Sequence, residues 1–140
     1  MTGLRCLFCC LPMLGALLPL AGCSPYTYVP VRGKVTLTNK QPVTFGTVKF
    51  MPDKDNTLRA IASGQINADG GYELSTEGRS GVPIGSYIIC VRAPMRRVGG
   101  KDPLPIPFSM KYFDANDSPL KIEVVANPDP GRYDLELTPN

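Results

Sequence analysis

The chain has 140 residues, enough for one domain, with a formal net charge of +3 and neither histidine nor tryptophan. So small a charge excludes the electrostatic footprint of a nucleic-acid-binding protein. The lack of histidine removes Ser-His-Asp and Cys-His catalysis, the commonest general base and the commonest zinc ligand. Fifteen prolines and 14 glycines divide the apolar residues into short runs, which favours an all-β fold of many short strands joined by turns.

In chain order, residues 1–22 read as an address. One basic residue, Arg5, precedes an apolar run from Cys6 to Leu20, and the small residues Ala21 and Gly22 come before Cys23. That order predicts a cleaved secretory signal peptide. Leu20-Ala21-Gly22-Cys23 also resembles the bacterial lipobox, which implies cleavage before Cys23, diacylglycerol on its thiol and an acyl chain such as palmitate on the new amino group. The alternatives are an uncleaved anchor helix and an ordinary signal with an incidental cysteine. By the sorting habit of well-studied Gram-negative bacteria, Ser24 in place of aspartate favours the outer over the inner membrane. Removal of residues 1–22 leaves 14 basic and 12 acidic side chains, a net +2. No later segment offers the roughly 18 successive apolar residues a spanning helix needs.

Cys6, Cys9 and Cys10 lie inside the apolar run, which lacks the electropositive, partly exposed setting that holds thiolates, so Cys6-x-x-Cys9 reads as neither a metal nor a redox pair. The mature chain keeps Cys23 and Cys90. If Cys23 is a thioether, no intrachain disulfide forms even in an oxidising compartment. Residues 23–30 read as a lipidated tether. Its seven residues from Ser24 to Pro30 reach at most about 25 Å, so the domain stays near the lipid. Tyr26 and Tyr28 suit the headgroup level or a plain linker equally well.

The folded part spans residues 31–138. Val31–Leu37 alternates, with Val31, Val35 and Leu37 inward. Thr38–Pro42 is a turn. Thr47–Met51 is a second strand with Val48 and Phe50 inward, and Pro52–Asn56 is a polar loop. Arg59–Ile66 and Gly71–Ser75 flank Asn67-Ala68-Asp69-Gly70-Gly71, the strongest short-range hairpin signal in the chain. Gly81–Gly85 reads as a further turn. Ser86–Arg92 follows, with Tyr87, Ile89 and Val91 on one face and Ile88 and Cys90 on the other, as in a central strand or one with a covered outer face. Cys90 itself reads as a small core residue. Ala93–Asp117, with Pro103, Pro105 and Pro107, reads as a long, partly polyproline-like connection. Ile122 and Val124 mark a sixth strand; Tyr133, Leu135 and Leu137 mark a seventh. About seven short antiparallel strands imply a two-sheet β-sandwich, transthyretin-like or Ig-like.

The motifs resemble, in order and spacing, those of small planctomycete-type lipoproteins with a carboxypeptidase-regulatory-like, transthyretin-like domain. The matching pieces are Val31-Arg32-Gly33-Lys34-Val35, Gly46-Thr47-Val48-Lys49-Phe50, Asp69-Gly70-Gly71-Tyr72-Glu73-Leu74 and Gly81-Val82-Pro83-Ile84-Gly85-Ser86-Tyr87. Ile106-Pro107, Lys111-Tyr112, Ser118-Pro119-Leu120 and Tyr133-Asp134-Leu135-Glu136-Leu137 complete the set, over residues 29–138. The resemblance implies a seven-stranded sandwich and no defined activity. The regulatory domains behind the name are non-catalytic companions of peptidases. The transthyretin-related hydrolases of purine breakdown use histidines, which this chain lacks.

Few residues suggest chemistry. Asn67-x-Asp69-Gly70 echoes a calcium loop but lacks the alternating carboxylates and late bidentate glutamate, whereas Gly-Gly suits a turn. Gly78-Arg79-Ser80-Gly81 lacks the second glycine and the histidine of a nucleophile elbow. Glu73 and Glu77 are the one carboxylate pair for glycoside hydrolysis, and Glu73 fits a solvated strand face. No catalytic residue, cofactor or metal ligand is therefore expected. Arg96, Arg97 and Lys101, in a proline-rich loop, are the candidate contact for an anionic partner: a lipid headgroup, a phosphate, a wall polymer or an acidic protein. A solvated loop is the alternative.

The resulting expectation is an exported, membrane-tethered, non-enzymatic envelope lipoprotein. It would act as a binding or structural module whose partner is an envelope protein or a cell-wall polymer. The lack of tryptophan and the scatter of Tyr26, Tyr28, Phe45, Phe108 and Phe113 favour protein over sugar. An accessory subunit of an exported peptidase or hydrolase is the second reading, and a small envelope hydrolase the third.

Overall fold

The structure, a computed structural model, describes residues 26–94 and 104–140. Among them are eleven strands: β1 (Tyr28–Val29), β2 (Arg32–Leu37), β3 (Thr47–Pro52), β4 (Ala62–Gln65), β5 (Gly71–Glu73), β6 (Ser75–Thr76), β7 (Arg79–Ser80), β8 (Val82–Pro83), β9 (Gly85–Arg92), β10 (Lys121–Val124) and β11 (Leu135–Leu137). One 3₁₀ turn, Met110–Phe113, interrupts them. The chain is all-β, in three sheets ordered β10-β9-β3-β4-β6-β7, β11-β2-β5 and β1-β8. Val48, Phe50, Tyr87, Ile89 and Val124 from the first sheet and Val35, Leu37, Tyr72 and Leu137 from the second share one buried core. That arrangement is consistent with a β-sandwich.

Each of the seven apolar-alternating runs contains a strand of three or more residues, with narrower bounds than expected, and the two-residue strands β1, β6, β7 and β8 bring the number among the described residues to eleven. The expected inward faces hold: Val48, Phe50, Tyr87, Ile89 and Val91 are fully buried, as is Val35. β9 lies between β3 and β10, and its outer-face Cys90 is buried as well, while Ile88 on the same face is half-buried.

The Asn67–Gly71 turn closes a hairpin whose single register runs from Ile66↔Tyr72 to Ser63↔Ser75 and Ala62↔Thr76. Its returning arm is divided between sheets. Gly71–Glu73 pairs with Arg32–Lys34 of β2, while Ser75–Thr76 stays on β4. Leu74 makes the crossing, donating to Val31 C=O at 3.0 Å and accepting from Gly81 N–H at 3.1 Å. The two arms lie so close that a Cβ on Gly64 would sit 2.0 Å from the Glu73 carbonyl oxygen.

Four expectations change. First, the strands are not all antiparallel: β11 runs parallel to β2, with Leu135↔Val35 and Leu137↔Leu37 in register. β10 ends in the large sheet, and the 125–134 connection carries the chain across to the smaller one, so no hairpin constrains β11. Second, Gly81–Gly85 is not simply a turn, because Val82–Pro83 forms β8. The reversal lies earlier, at Glu77 (φ 50°) and Gly78 (φ 80°), the two positive-φ positions of a tight hairpin joining β6 to β7. Third, the fold begins before residue 31, because Tyr28–Val29 pair with Val82–Pro83 and Val29 is buried. Fourth, the Ala93–Asp117 connection is no plain loop beyond residue 103. Phe108 is fully buried and bridges to Pro139, and Tyr112 is buried in the 3₁₀ turn.

The register also defines two ends. β1 and β9 begin at one end, where β3 and β10 finish: Ile84 N–H donates to Thr27 C=O, Asp53 N–H to Ser86 C=O, and Val124 faces Gly85. At the other end lie Arg92, opposite Thr47, and the Asn67–Gly71 turn, whose Gly70 C=O accepts from Val35 N–H.

Candidate functional site

Leu20, Ala21, Gly22, Cys23, Arg96, Arg97 and Lys101 lie outside the described residues. The remaining motifs resolve into scaffold. In the Asn67–Gly71 turn, Asn67 Oδ1 accepts from Gly71 N–H at 2.8 Å and Asp69 Oδ1 accepts from the same N–H at 3.0 Å. Gly70 adopts φ 85°. The side-chain oxygens are thus turned onto their own backbone, as an Asx turn requires. Arg79–Ser80 is a short edge strand rather than a strand-to-helix elbow. Glu73 forms an ion pair with Arg32 at 2.9 Å, and Glu77 occupies the β6–β7 turn.

Two clefts remain. One, of about 340 Å³ on the outer face of the large sheet, is lined by Lys49, Met51, Ile61, Cys90, Arg92 and Asp114 among others. Its thiol is a poor nucleophile, because burial pushes Cys90 above its ordinary pKa. Arg92 is committed to the fold, its Nε donating to Phe113 C=O at 2.7 Å. The second cleft, of about 300 Å³, is polar and lined by Pro52, Asp53, Lys54, Asn56 and Arg59. The Lys121 ammonium, 2.9 Å from Asp53, holds that carboxyl below the usual range. Asn56 donates to Ser86 C=O, so this cleft too is tied to strand β9.

The buried polar groups hold the fold together. Tyr72 Oη donates to Tyr133 C=O, joining β5 to the segment before β11; Tyr87 Oη donates to Pro83 C=O at 2.9 Å. Thr76 and Ser118 bond to Gly81 C=O and Ile89 C=O. Among the described residues no group of three or more His, Cys, Asp or Glu is placed to hold a metal ion, and no helix is long and apolar enough to cross a membrane.

At the end where the chain enters the fold, the sequence had marked Tyr26 and Tyr28 but not the residues that join them, Ile84 and Arg79. Tyr26 and Ile84 are 47% and 41% exposed there. The Arg79 guanidinium lies over the Tyr28 ring, 5.8 Å from its centroid. Ile84 sits in a stretch rich in glycine and proline that reads as a turn, and no periodicity marks it as a surface residue of interest. Comparison with family models, with curated proteins and with solved structures gives no match in any of the three.

Proposed function

We propose that this chain is a non-enzymatic lipoprotein of the cell envelope, acylated on Cys23 and acting as a binding or structural module. The observation that carries the reading is Leu20-Ala21-Gly22-Cys23 at the end of an apolar run, with the first strand beginning at Tyr28. A lipid-modified cysteine followed by a short tether and a small β domain is the economy of an anchored module. The order of motifs supports a transthyretin-like sandwich of the planctomycete lipoprotein type. Export to the outer membrane follows from the residue after Cys23.

Protein contact is favoured over carbohydrate. A sugar-binding sandwich presents exposed aromatic rings as a platform, whereas here Phe108 and Tyr112 are buried and Phe45 and Phe113 pack against the core. The accessory-subunit reading gives the same surface a docked peptidase or hydrolase. Co-purification of such an enzyme from native membranes would favour it. A hydrolase activity of the chain itself is disfavoured by the raised thiol of Cys90 and the lack of histidine.

The test is Cys23→Ala. The variant should accumulate as an uncut or misprocessed precursor, incorporate no labelled palmitate and leave the membrane if processed. The reason is that acyl chains contribute about 0.8 kcal/mol per buried CH₂ to anchoring. Cys90, being buried, offers no alternative acceptor. Palmitate incorporation by the variant, with cleavage before residue 23, would overturn the reading.

A further inference from the structure

The way the chain enters the fold limits where the lipid can lie. Tyr28 and Val29 pair antiparallel with Pro83 and Val82, and Ile84 N–H donates to Thr27 C=O at 3.3 Å. This small sheet fixes Tyr26 and Ile84 at one end of the domain, both substantially exposed. Two residues, Ser24 and Pro25, lie between Cys23 and Tyr26, and the three steps reach at most about 11 Å. An acylated cysteine sits at the boundary between hydrocarbon and headgroups, and each headgroup layer is about 5–8 Å thick. Tyr26 therefore stays within or just outside that layer, and Ile84 stays beside it.

The side chains at this end suit such a place. Tyrosine prefers the headgroup level, with its ring in the apolar region and its hydroxyl in water. Arg79, stacked on Tyr28, combines an apolar stem with a charged tip that reaches water or phosphate. The neighbouring charges nearly offset one another. The loop after β3 brings Lys54, Asp55 and Arg59, and the β6–β7 turn brings Glu77 beside Arg79. Attraction to anionic lipid is thus a minor contribution, and apolar burial dominates.

We infer that the end of the domain bearing Tyr26 and Ile84 rests in the interfacial layer of the bilayer, orienting the β domain on the membrane; this rests on Cys23 being acylated. The opposite end, with the Thr38–Pro42 and Asn67–Gly71 turns, then points away from the lipid.

The lack of tryptophan gives a clean reporter. Ile84→Trp and, at the far end, Gln41→Trp are made in the full chain, purified with its lipid and reconstituted into phosphatidylcholine vesicles. Quenching by brominated acyl chains is then compared, with and without phosphatidylglycerol and at low and high salt. The expected result is quenching of the Ile84→Trp protein about twofold stronger or more, unaffected by salt and lowered by adding Tyr26→Asp. Detergent-phase partition of the same samples reports acylation separately. Partition into detergent with equal quenching at the two sites overturns the orientation and leaves the anchor intact. Failure to partition overturns the anchor, and the orientation with it.

Discussion

A methyl group at Gly64 would lie 2.0 Å from the carbonyl oxygen of Glu73, an atom fixed by the hairpin backbone. Gly64→Ala must therefore move one arm of the hairpin, and overpacking of this kind costs about 1–3 kcal/mol. Gly78→Ala meets nothing within 4 Å and incurs only the strain of φ 80°, about 1 kcal/mol. Urea midpoints should rank Gly64→Ala as the more damaging, and the reverse order would place the two arms further apart than described. Titratable groups add a pH dependence. Burial raises the pKa of Tyr72, Tyr87 and Cys90 above their ordinary values of 10.0 for tyrosine and 9.0 for cysteine. The unfolded chain ionises these groups first as pH rises, so their contribution is intact below about pH 9 and is lost as pH climbs through and beyond the unfolded values. Urea midpoints should be level from neutral pH to about pH 8.5, then fall, and most phenolate absorbance from Tyr72 and Tyr87 should appear with unfolding rather than before it. An alkaline plateau in stability would contradict the burial of all three.

Among the elements, the segment leading into the 3₁₀ turn gives the sharpest test. Phe108 is fully buried, its ring lies 6.0 Å from that of Phe113, and its neighbour Ser109 donates to Thr138 C=O at 3.0 Å. Phe108→Ala should cost about 3–5 kcal/mol, as deleting a buried aromatic ring does, whereas a change in a solvated connection would cost little. Guanidinium unfolding of a soluble form beginning after Cys23 measures the difference. The sequence did not reveal this segment, because its apolar residues are separated by prolines and follow neither a helical nor a strand period. The long strands were legible for the opposite reason: Val48 and Phe50, or Tyr87, Ile89 and Val91, alternate cleanly because each strand has a buried face. Two-residue strands such as Tyr28–Val29 and Val82–Pro83 are too short to show a period. The parallel pairing of β11 with β2 depends on where the 125–134 connection carries the chain, which local pattern does not encode. The proposed cysteine anchor rests on four adjacent residues outside the described ones; the placing of Tyr26 and Ile84 at one end was not legible, because 58 positions of sequence separate them.

At the scale of the whole molecule, acylation of Cys23 would give the two ends of the domain different tasks. β9 carries the chain from Gly85, at the end where Tyr28 enters the fold, to Arg92, a length of about 23 Å for eight residues. Ala93 and Pro94 follow Arg92, and Phe108, where the described chain rejoins the core, bridges to Pro139 beyond the end of β11. The segment that carries Arg96, Arg97 and Lys101 thus leaves the described fold after Pro94 and rejoins the core at Phe108, both away from the end where Tyr28 enters the fold. Of the anionic partners open to them, an acidic envelope protein suits that placement better than a lipid headgroup. A contact made by three cations at a solvated surface would be weak and screened over about 8 Å at physiological salt. Arg96→Glu/Arg97→Glu/Lys101→Glu should leave vesicle sedimentation of the lipidated chain unchanged. In native membranes, the same variant should lose whatever salt-sensitive crosslinks the wild type forms. Tyr26→Asp should give the reverse pattern, with altered contact to lipid and unchanged crosslinks. Loss of vesicle binding in the triple variant would mean that the cations reach the bilayer, and the division of labour between the two ends would not hold.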